Sequence, residues 1–405
     1  MQACLIRESS DITREVLVLS AVRSAVGTFG GALSGIEPPE LAAQVMKQAI
    51  ARAGVDPEQV SHVTVGNCIP TDSRYAYVAR VASIQAGLPM TSVAMAVNRL
   101  CSSGLQAVIS TAQSILLHDC DYGIGGGVEV MSRGGYLSPT MRTGARMGDV
   151  ALIDSMAAAL QDPFGVGHMG VTAENLATKW GISREQQDEL AAESHRRAAS
   201  AIEQGYFKSQ IVPIVQTTRK SDVRFDTDEH VKTGTTVEKL AAMRPVFKND
   251  GTVTAGNASG INDGAAFLLL AAADAVEQQA GLQPMARLVS YAVAGVCNEV
   301  MGEGPIPASK LALQKAGMKL NQIDVIESNE AFAAQALAVI NGLGLDREKT
   351  NPNGGAIALG HPVGCSGALI ATKAIYELHR TGGHYALVTL CVGGGQGVAV
   401  IFERL

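Results

Sequence analysis

Hydrophobic positions along this chain alternate between short unbroken runs and longer stretches that recur at helical spacing. The run Val16-Leu17-Val18-Leu19-Ser20 reads as a β-strand, and a glycine-rich loop over 27–35 follows it. From Pro39 to Ala53 the residues Leu41, Val45, Met46, Ala49 and Ile50 share one helix face, which Gly54 closes as a C-cap. Val60 to Val65 is the next strand, Val78 to Ala86 the next helix, and Val93 to Val97 a strand expected to be buried. Leu105, Val108, Ile109, Ala112, Ile115 and Leu116 mark a further helix. Asp121 to Val130 then gives a strand with a turn expected at Gly125-Gly126-Gly127. Strands alternating with helices imply parallel βαβ packing and an α/β fold.

The same order returns later. Ala53-Gly54, Val60 and Asn67 correspond to Ala316-Gly317, Ile323 and Asn329, a displacement of 316 − 53 = 263 at its start. Cys101-Ser102-Ser103-Gly104-Leu105 corresponds to Cys365-Ser366-Gly367-Ala368-Leu369, displaced by 365 − 101 = 264, and Gly125 to Gly393 by 393 − 125 = 268. A near-constant displacement across three patches means two similar halves. Residues 132 to about 250 have no counterpart and form an insertion, with a helix pattern over 183–204 that Ser183 and Gln186 open as a capping box. The insertion also carries an extended, charged stretch over 219–232.

Composition narrows the function. A chain of 405 residues, 47% hydrophobic and 17% charged, buries a large core. A net charge of −6 without a basic block argues against nucleic acid as the partner. No run is long and apolar enough to span a membrane. Seven cysteines without C-x-x-C spacing suggest free thiols in a reducing compartment. The segment 1–14 lacks an apolar signal core and the chain ends Phe402-Glu403-Arg404-Leu405, so a cytoplasmic location is expected. No metal-ligand spacing stands out.

The chemistry gathers on four stretches. Cys101 falls between the strand ending at Val97 and the helix beginning near Leu105. Unpaired N–H groups and the helix dipole favour an anion there, so a thiolate is expected to form more readily than on a free cysteine. The plainer alternative is a small buried hydrophobe. His361 lies in the glycine-rich stretch 351–368. Thiol and imidazole both titrate near neutrality, so a proton moves between them at low cost. Cys391 precedes Gly393-Gly394-Gly395, where backbone can approach a ligand closely and offer N–H groups to an oxyanion. Asn329-Glu330-Ala331-Phe332 places polar side chains at a strand end, a common place for a site in α/β proteins and equally an ordinary N-cap turn. A cysteine with a separate histidine and a second reactive group is the pattern of covalent acyl transfer.

Together and in this order, the four stretches resemble the thiolase family from about Val16 to the C-terminus, in particular its bacterial biosynthetic and broad-range 3-ketothiolases. The resemblance implies a layered α/β/α/β/α fold of two related halves, 1–131 with 250–272 and 273–405, around a shared helical layer. Residues 132–249 would then be a loop domain that covers the active site and binds coenzyme A. It implies that Cys101 accepts the acyl group after activation by His361, and that Cys391 exchanges the α-proton of acetyl-CoA. The N–H groups of Cys101 and Gly393 would form one oxyanion site, and His361 with a water held by Asn329 the other. His168, Met169 and Ser259 would lie near the pantetheine arm, Lys232 near the nucleotide end, and Phe247, Met301, Ala331 and Phe332 along the substrate pocket. Acetyl-CoA, acyl-CoA and CoA are the implied small-molecule partners, acting as substrates without a separate cofactor. A homodimer or homotetramer, with contacts from the segment after Ser132, is implied as well.

Three positions depart from the family pattern: Glu303 in Met301-Gly302-Glu303-Gly304, Cys365 after His361-Pro362-Val363-Gly364, and Lys239 where some relatives carry serine. They leave chain-length preference open. A decarboxylating ketoacyl synthase shares the doubled fold but uses two histidines, so Cys391 speaks against it. A non-catalytic acyl-CoA or lipid-binding protein would be marked by loss of Cys101, His361 or Cys391, and all three are present.

Overall fold

The computed structural model describes residues 14–217 and 222–405. The reading of the N-terminal segment 1–13, and of 218–221 in the charged stretch, lies outside these residues.

The first half runs β1 (Val16–Ser24), α1 (Pro38–Ala53), β2 (Val60–Gly66), α2 (Val78–Gln85), β3 (Val93–Val97), α3 (Ser103–Leu116) and β4 (Tyr122–Val130). The insertion contributes α4 (Met169–Trp180) and α5 (Arg184–Glu203), the latter opened by the expected capping box of Ser183 and Gln186. The chain then returns through β5 (Asn262–Ala272), antiparallel to both β1 and β4. The second half is β6 (Ala286–Gly295), α6 (Pro305–Lys315), β7 (Val325–Ser328), α7 (Ala333–Leu343), α8 (Ser366–Thr381), β8 (Tyr385–Val392) and β9 (Gln396–Arg404). Strands hydrogen-bond in the order β7-β8-β9-β6-β1-β5-β4-β2-β3, and two short strands, Gly27–Thr28 and Ile211–Val212, attach at the sides.

Among the described residues the two sheets meet edge to edge in two β1–β6 pairs, Leu17 with Arg287 and Val18 with Ala286, so each keeps its own twisted sheet. Helices α3 and α8 pack together between the sheets, and their apolar faces merge with β1, β5, β8 and β9 into one buried cluster. A second cluster places α1 and α2 on the outer face of the first sheet. A third places α6 and α7 on the outer face of the second. These are the five expected layers, built because alternate residues of each fully buried strand must be covered on both sides.

Two local expectations fail for identifiable reasons. Strand β4 runs straight through Gly125-Gly126-Gly127 without a turn. The glycines are there for packing: a Cβ on Gly125 would lie 2.7 Å from the Cα of Val108, and one on Gly126 would lie 2.2 Å from the carbonyl oxygen of Ala266. Strand β3, expected to be buried, pairs among the described residues with β2 alone and forms the sheet edge, leaving Val93 54% and Met95 49% exposed. An apolar run alone does not say which strand ends the sheet, and this one faces outward.

The insertion is fastened to the first half by a buried ion pair. Arg23 donates to both oxygens of Asp228, at 2.7 and 2.9 Å, and to Gln210 Oε1 at 2.7 Å. The segment leading to Lys232 is thereby fixed against β1.

Candidate active site

Cys101 occupies a single 3-10 turn, Leu100–Ser102, between β3 and α3. Leu100 sits in the left-handed region at φ 44°, which costs a non-glycine residue about 1–3 kcal/mol unless its surroundings impose it. Polar contacts impose it here. Asn98 Oδ1 accepts the Leu100 N–H at 2.9 Å, while Ser103 Oγ donates to the Leu100 carbonyl at 2.7 Å and accepts the Arg99 N–H at 2.8 Å. Arg99 reaches across to the other half, donating to Gln396 Oε1 at 2.8 Å.

Burial pushes the Cys101 thiol up to about 11; the N–H groups of Gly393 and of Cys101 itself pull it down, and the nearby Glu129 carboxylate adds to the rise. The expectation of a ready thiolate is therefore overturned. The helix N-terminus does not offset the loss of water around the sulfur, and the thiol is the resting form.

His361 follows a short helical turn, Ala356–Leu359, and Gly360 at φ 104°. Its backbone N–H donates to Asn262 Oδ1 at 3.0 Å. Its Nδ1 lies 2.6 Å from Ser366 Oγ, which in turn lies 2.9 Å from the Pro362 carbonyl. A serine hydroxyl has one proton. Given to Pro362, it makes Nδ1 the protonated nitrogen and leaves Nε2 bare, with Asn329 Nδ2 3.4 Å from it. Burial lowers the imidazole to about 4, so at neutral pH it is an uncharged proton acceptor.

Cys101, His361 and Gly393 open on one cavity of about 360 Å³. His168, Met169, Phe247, Ser259 and Met301 line it too, with Ala331 and Phe332. The His168 ring stacks on Phe247 at 4.7 Å, and Phe247 meets Phe332 edge-on at 6.0 Å. His168 Nδ1 accepts the Gly170 N–H at 3.0 Å, and burial lowers its pKa. Cys391 lies behind the wall, fully buried with Met169, Met301 and Phe332, its thiol pushed up by burial and then by Cys101. No Lys, Arg, Asp or Glu is among the lining residues. Among the described residues, no group of three His, Cys, Asp or Glu side chains is arranged to hold a metal.

Lys232 is not in this cavity. It lines a neighbouring one of about 310 Å³ with Lys239, His195 and His230. The two share Ala255, Ala258 and Gly260, so they abut across the 254–260 turn. Burial lowers His195 and His230 to about 4.

The sequence matches "Thiolase, N-terminal domain" over residues 16–274 and "Thiolase, C-terminal domain" over 282–404. The chain belongs to the thiolase family. It is 58% identical to the beta-ketothiolase BktB of Cupriavidus necator over 97% of this chain and 100% of that one. Its structure superposes on the Bacillus anthracis acetyl-CoA acetyltransferase with a TM-score of 0.95 at 47% identity, covering 97% and 99% of the two chains. Human mitochondrial 3-ketoacyl-CoA thiolase in complex with CoA gives 0.93 at 42%, covering 97% and 98%. The chain is thus an acyltransferase of the thiolase family.

The departures from the thiolase pattern resolve into packing and surface roles. Glu303 turns away from the cavity, accepting from Trp180 Nε1 at 2.7 Å and Lys179 Nζ at 2.9 Å, and so ties the Met301 loop to α4. Cys365 is buried in the helical layer. Lys239 donates to the Gly234 carbonyl at 2.7 Å beside the second cavity. Sequence reasoning missed Met131, Leu160, Ile261 and Val363 on the cavity wall, since single apolar residues carry no positional signal. It also missed Ser366, the partner of His361, and Glu129, although one acidic residue inside the apolar glycine strand of this thiolase was a visible anomaly.

His361 makes stability pH-dependent. The folded chain holds it neutral down to about 4, whereas the unfolded chain takes up the proton at about 6.5. Its contribution is therefore present above that value and is lost as pH falls from 6.5 toward 4. His361→Asn is expected to show a shallower decline of the urea midpoint than wild type across this window; parallel curves would contradict the assignment.

Proposed function

We propose that the chain interconverts acyl-CoA plus acetyl-CoA with 3-ketoacyl-CoA plus CoA through an acyl-Cys101 intermediate. The observation that carries this reading is one apolar cavity into which Cys101, His361 and Gly393 open, with Cys391 against its wall. Cys101 passes its proton to His361 Nε2 and attacks the thioester carbon, and the oxyanion that develops meets the N–H groups of Cys101 and Gly393. The departing CoA sulfur takes a proton from Cys391 and leaves as a thiol. Acetyl-CoA then enters, and the Cys391 thiolate removes its α-proton. The resulting enolate, its oxygen facing His361 and a water held by Asn329, attacks the acyl carbon and forms the carbon–carbon bond. Cys101 sulfur leaves and recovers its proton from His361, so both cysteines return to thiols. Thiolysis is the reverse.

Coenzyme A thioesters enter as substrates, and the scheme calls on no other cofactor. Ser259, His168 and the Phe247–Phe332 pair flank the pantetheine arm, and the Lys232 and Lys239 ammonium groups beside the second cavity suit the phosphates of the nucleotide end. The described cysteines are all free thiols, which fits a cytoplasmic site of action. Acyl chains longer than acetyl extend from Cys101 over the apolar wall of Met131, Ile261 and Val363, beside which Met156 and Ala159 pack. Methionine there adapts to different chain lengths. The open, apolar edge of β3 pairs with a second copy of this chain, because an unpaired hydrophobic strand edge is a template for another strand.

Three measurements follow. Cys391→Ser should still become acylated at Cys101 by labelled acetyl-CoA while condensation falls by about 10²–10⁴-fold, and Cys101→Ser should do neither; near-normal turnover by Cys101→Ser would sink the scheme. Met131→Phe should lower the ratio of kcat/KM for 3-ketohexanoyl-CoA over acetoacetyl-CoA by about tenfold, an unchanged ratio placing the acyl chain elsewhere. Val93→Lys with Met95→Lys should move the protein to a smaller species on gel filtration, and wild-type elution would rule out the β3 edge as the contact.

A further inference from the structure

Glu129 is a buried acid that the proposed chemistry does not use. It stands at the inner end of β4, fully buried, and accepts hydrogen bonds from both halves of the molecule. Its Oε2 accepts the backbone N–H of Cys68 at 2.9 Å and that of Gly364 at 3.0 Å. Its Oε1 accepts Asn67 Nδ2 at 2.9 Å and the Ile69 N–H at 3.2 Å. Buried Asp228 and Glu327 face Arg23 and Lys373 in ion pairs, whereas the partners of Glu129 are N–H groups and the Cys68 thiol. Burial, the largest effect, pushes the carboxyl up to about 7, and the hydrogen bonds it accepts pull it down, so the carboxylate is the form above that pH.

These contacts lie on a continuous path between the two reacting groups. Gly364 belongs to the His361 loop, three residues on. Cys68 places its sulfur 3.2 Å from the Leu100 carbonyl and 3.1 Å from Ser103 Oγ, the groups that hold Leu100 in its left-handed turn beside Cys101. No other side chain is bonded to both the His361 loop and the 67–69 segment among the described hydrogen bonds.

We infer that Glu129 is a positioning residue, a carboxylate strut between the halves that sets the spacing of the Cys101 turn and the His361 loop. The inference rests on the roles proposed above for those two residues. The strut also has an electrostatic signature that simple packing lacks. Above about pH 7, where Glu129 is charged, that charge adds to the rise of the Cys101 thiol, so removing it eases ionisation of Cys101 even as it loosens the geometry. The other titratable groups near Glu129 are Cys68, Cys365 and Tyr75, and Cys391 also faces Cys101; all of them, and His361, stay unchanged in the variants below.

Glu129→Asp keeps the charge and shortens the strut, whereas Glu129→Gln keeps the length and removes the charge, setting an NH2 group against N–H donors. Both are expected to lower kcat by about 10²-fold, the effect of a misplacement of order 1 Å between reacting groups, with KM for CoA changed less than kcat. Only Glu129→Gln should shift the pH profile of Cys101 alkylation by iodoacetamide to lower pH. A folded variant of either kind with kcat within about threefold of wild type, against the loss expected from such a misplacement, overturns the strut. Identical alkylation profiles for the two overturn the electrostatic part. Should neither variant fold, Asn67→Ala removes one donor and leaves the carboxylate; it is expected to lower kcat by about tenfold, the worth of one hydrogen bond to a charged group, and wild-type kcat there overturns the strut equally. Failure of the thiolase scheme itself shows separately, as turnover by Cys101→Ser.

Discussion

The reaction centre depends on how closely two helix N-termini approach. Helices α3 and α8 begin just after Cys101 and His361, and they meet in the layer shared by both sheets. A Cβ on Gly104 would lie 2.9 Å from the carbonyl oxygens of Gly364 and Cys365, and one on Gly367 would lie 2.4 Å from the backbone nitrogen of Leu105. Helices that carry ordinary side chains at their contact stand 8–10 Å apart. Glycine at these positions lets backbone rest on backbone, and the two loops follow the helices inward. Since N–H groups at a helix start lack intrahelical partners, the same geometry brings unpaired donors together where an oxyanion will form.

Close packing also removes water, and that fixes the electrostatics. With no ionised side chain on the cavity wall, Cys101 rests as a thiol and His361 as a neutral base, about 11 and about 4 respectively. Neither group is activated alone. On the proposed scheme, proton transfer between them creates two opposite charges on one cavity wall, and their attraction in a medium of low polarity would be what makes the transfer reachable. On the same scheme the resting thiol is a poor nucleophile until the transfer occurs, because only the thiolate is strongly nucleophilic.

Much of this architecture was legible in the chain. The βαβ rhythm, the repeat at a displacement near 264 and the Ser183 capping box each depend on local pattern, and each appears in the structure. What misled was environment. Gly125-Gly126-Gly127 carries the composition of a turn, and only the arrival of α3 and β5 from elsewhere in the chain explains why it is a strand. Val93–Val97 is apolar enough for the core, yet nothing in its own residues says that the sheet ends there. The helix-dipole argument for Cys101 was sound as far as it went; desolvation, invisible before the neighbours are known, outweighs it.

The duplication explains why the site is asymmetric although its frame is not. Both halves present a strand followed at once by Asn, Asn67 and Asn329, and a helix preceded by Cys, Cys101 and Cys365. In the first half the cysteine faces the cavity, and in the second its counterpart is buried in the helical layer. His361 stands four residues ahead of Cys365, which puts the proposed base of one half on the same cavity as the proposed nucleophile of the other. A repeated strand–turn–helix unit therefore supplies two convergent sets of backbone donors, and divergence of a few side chains within that frame turns symmetry into an acid–base pair.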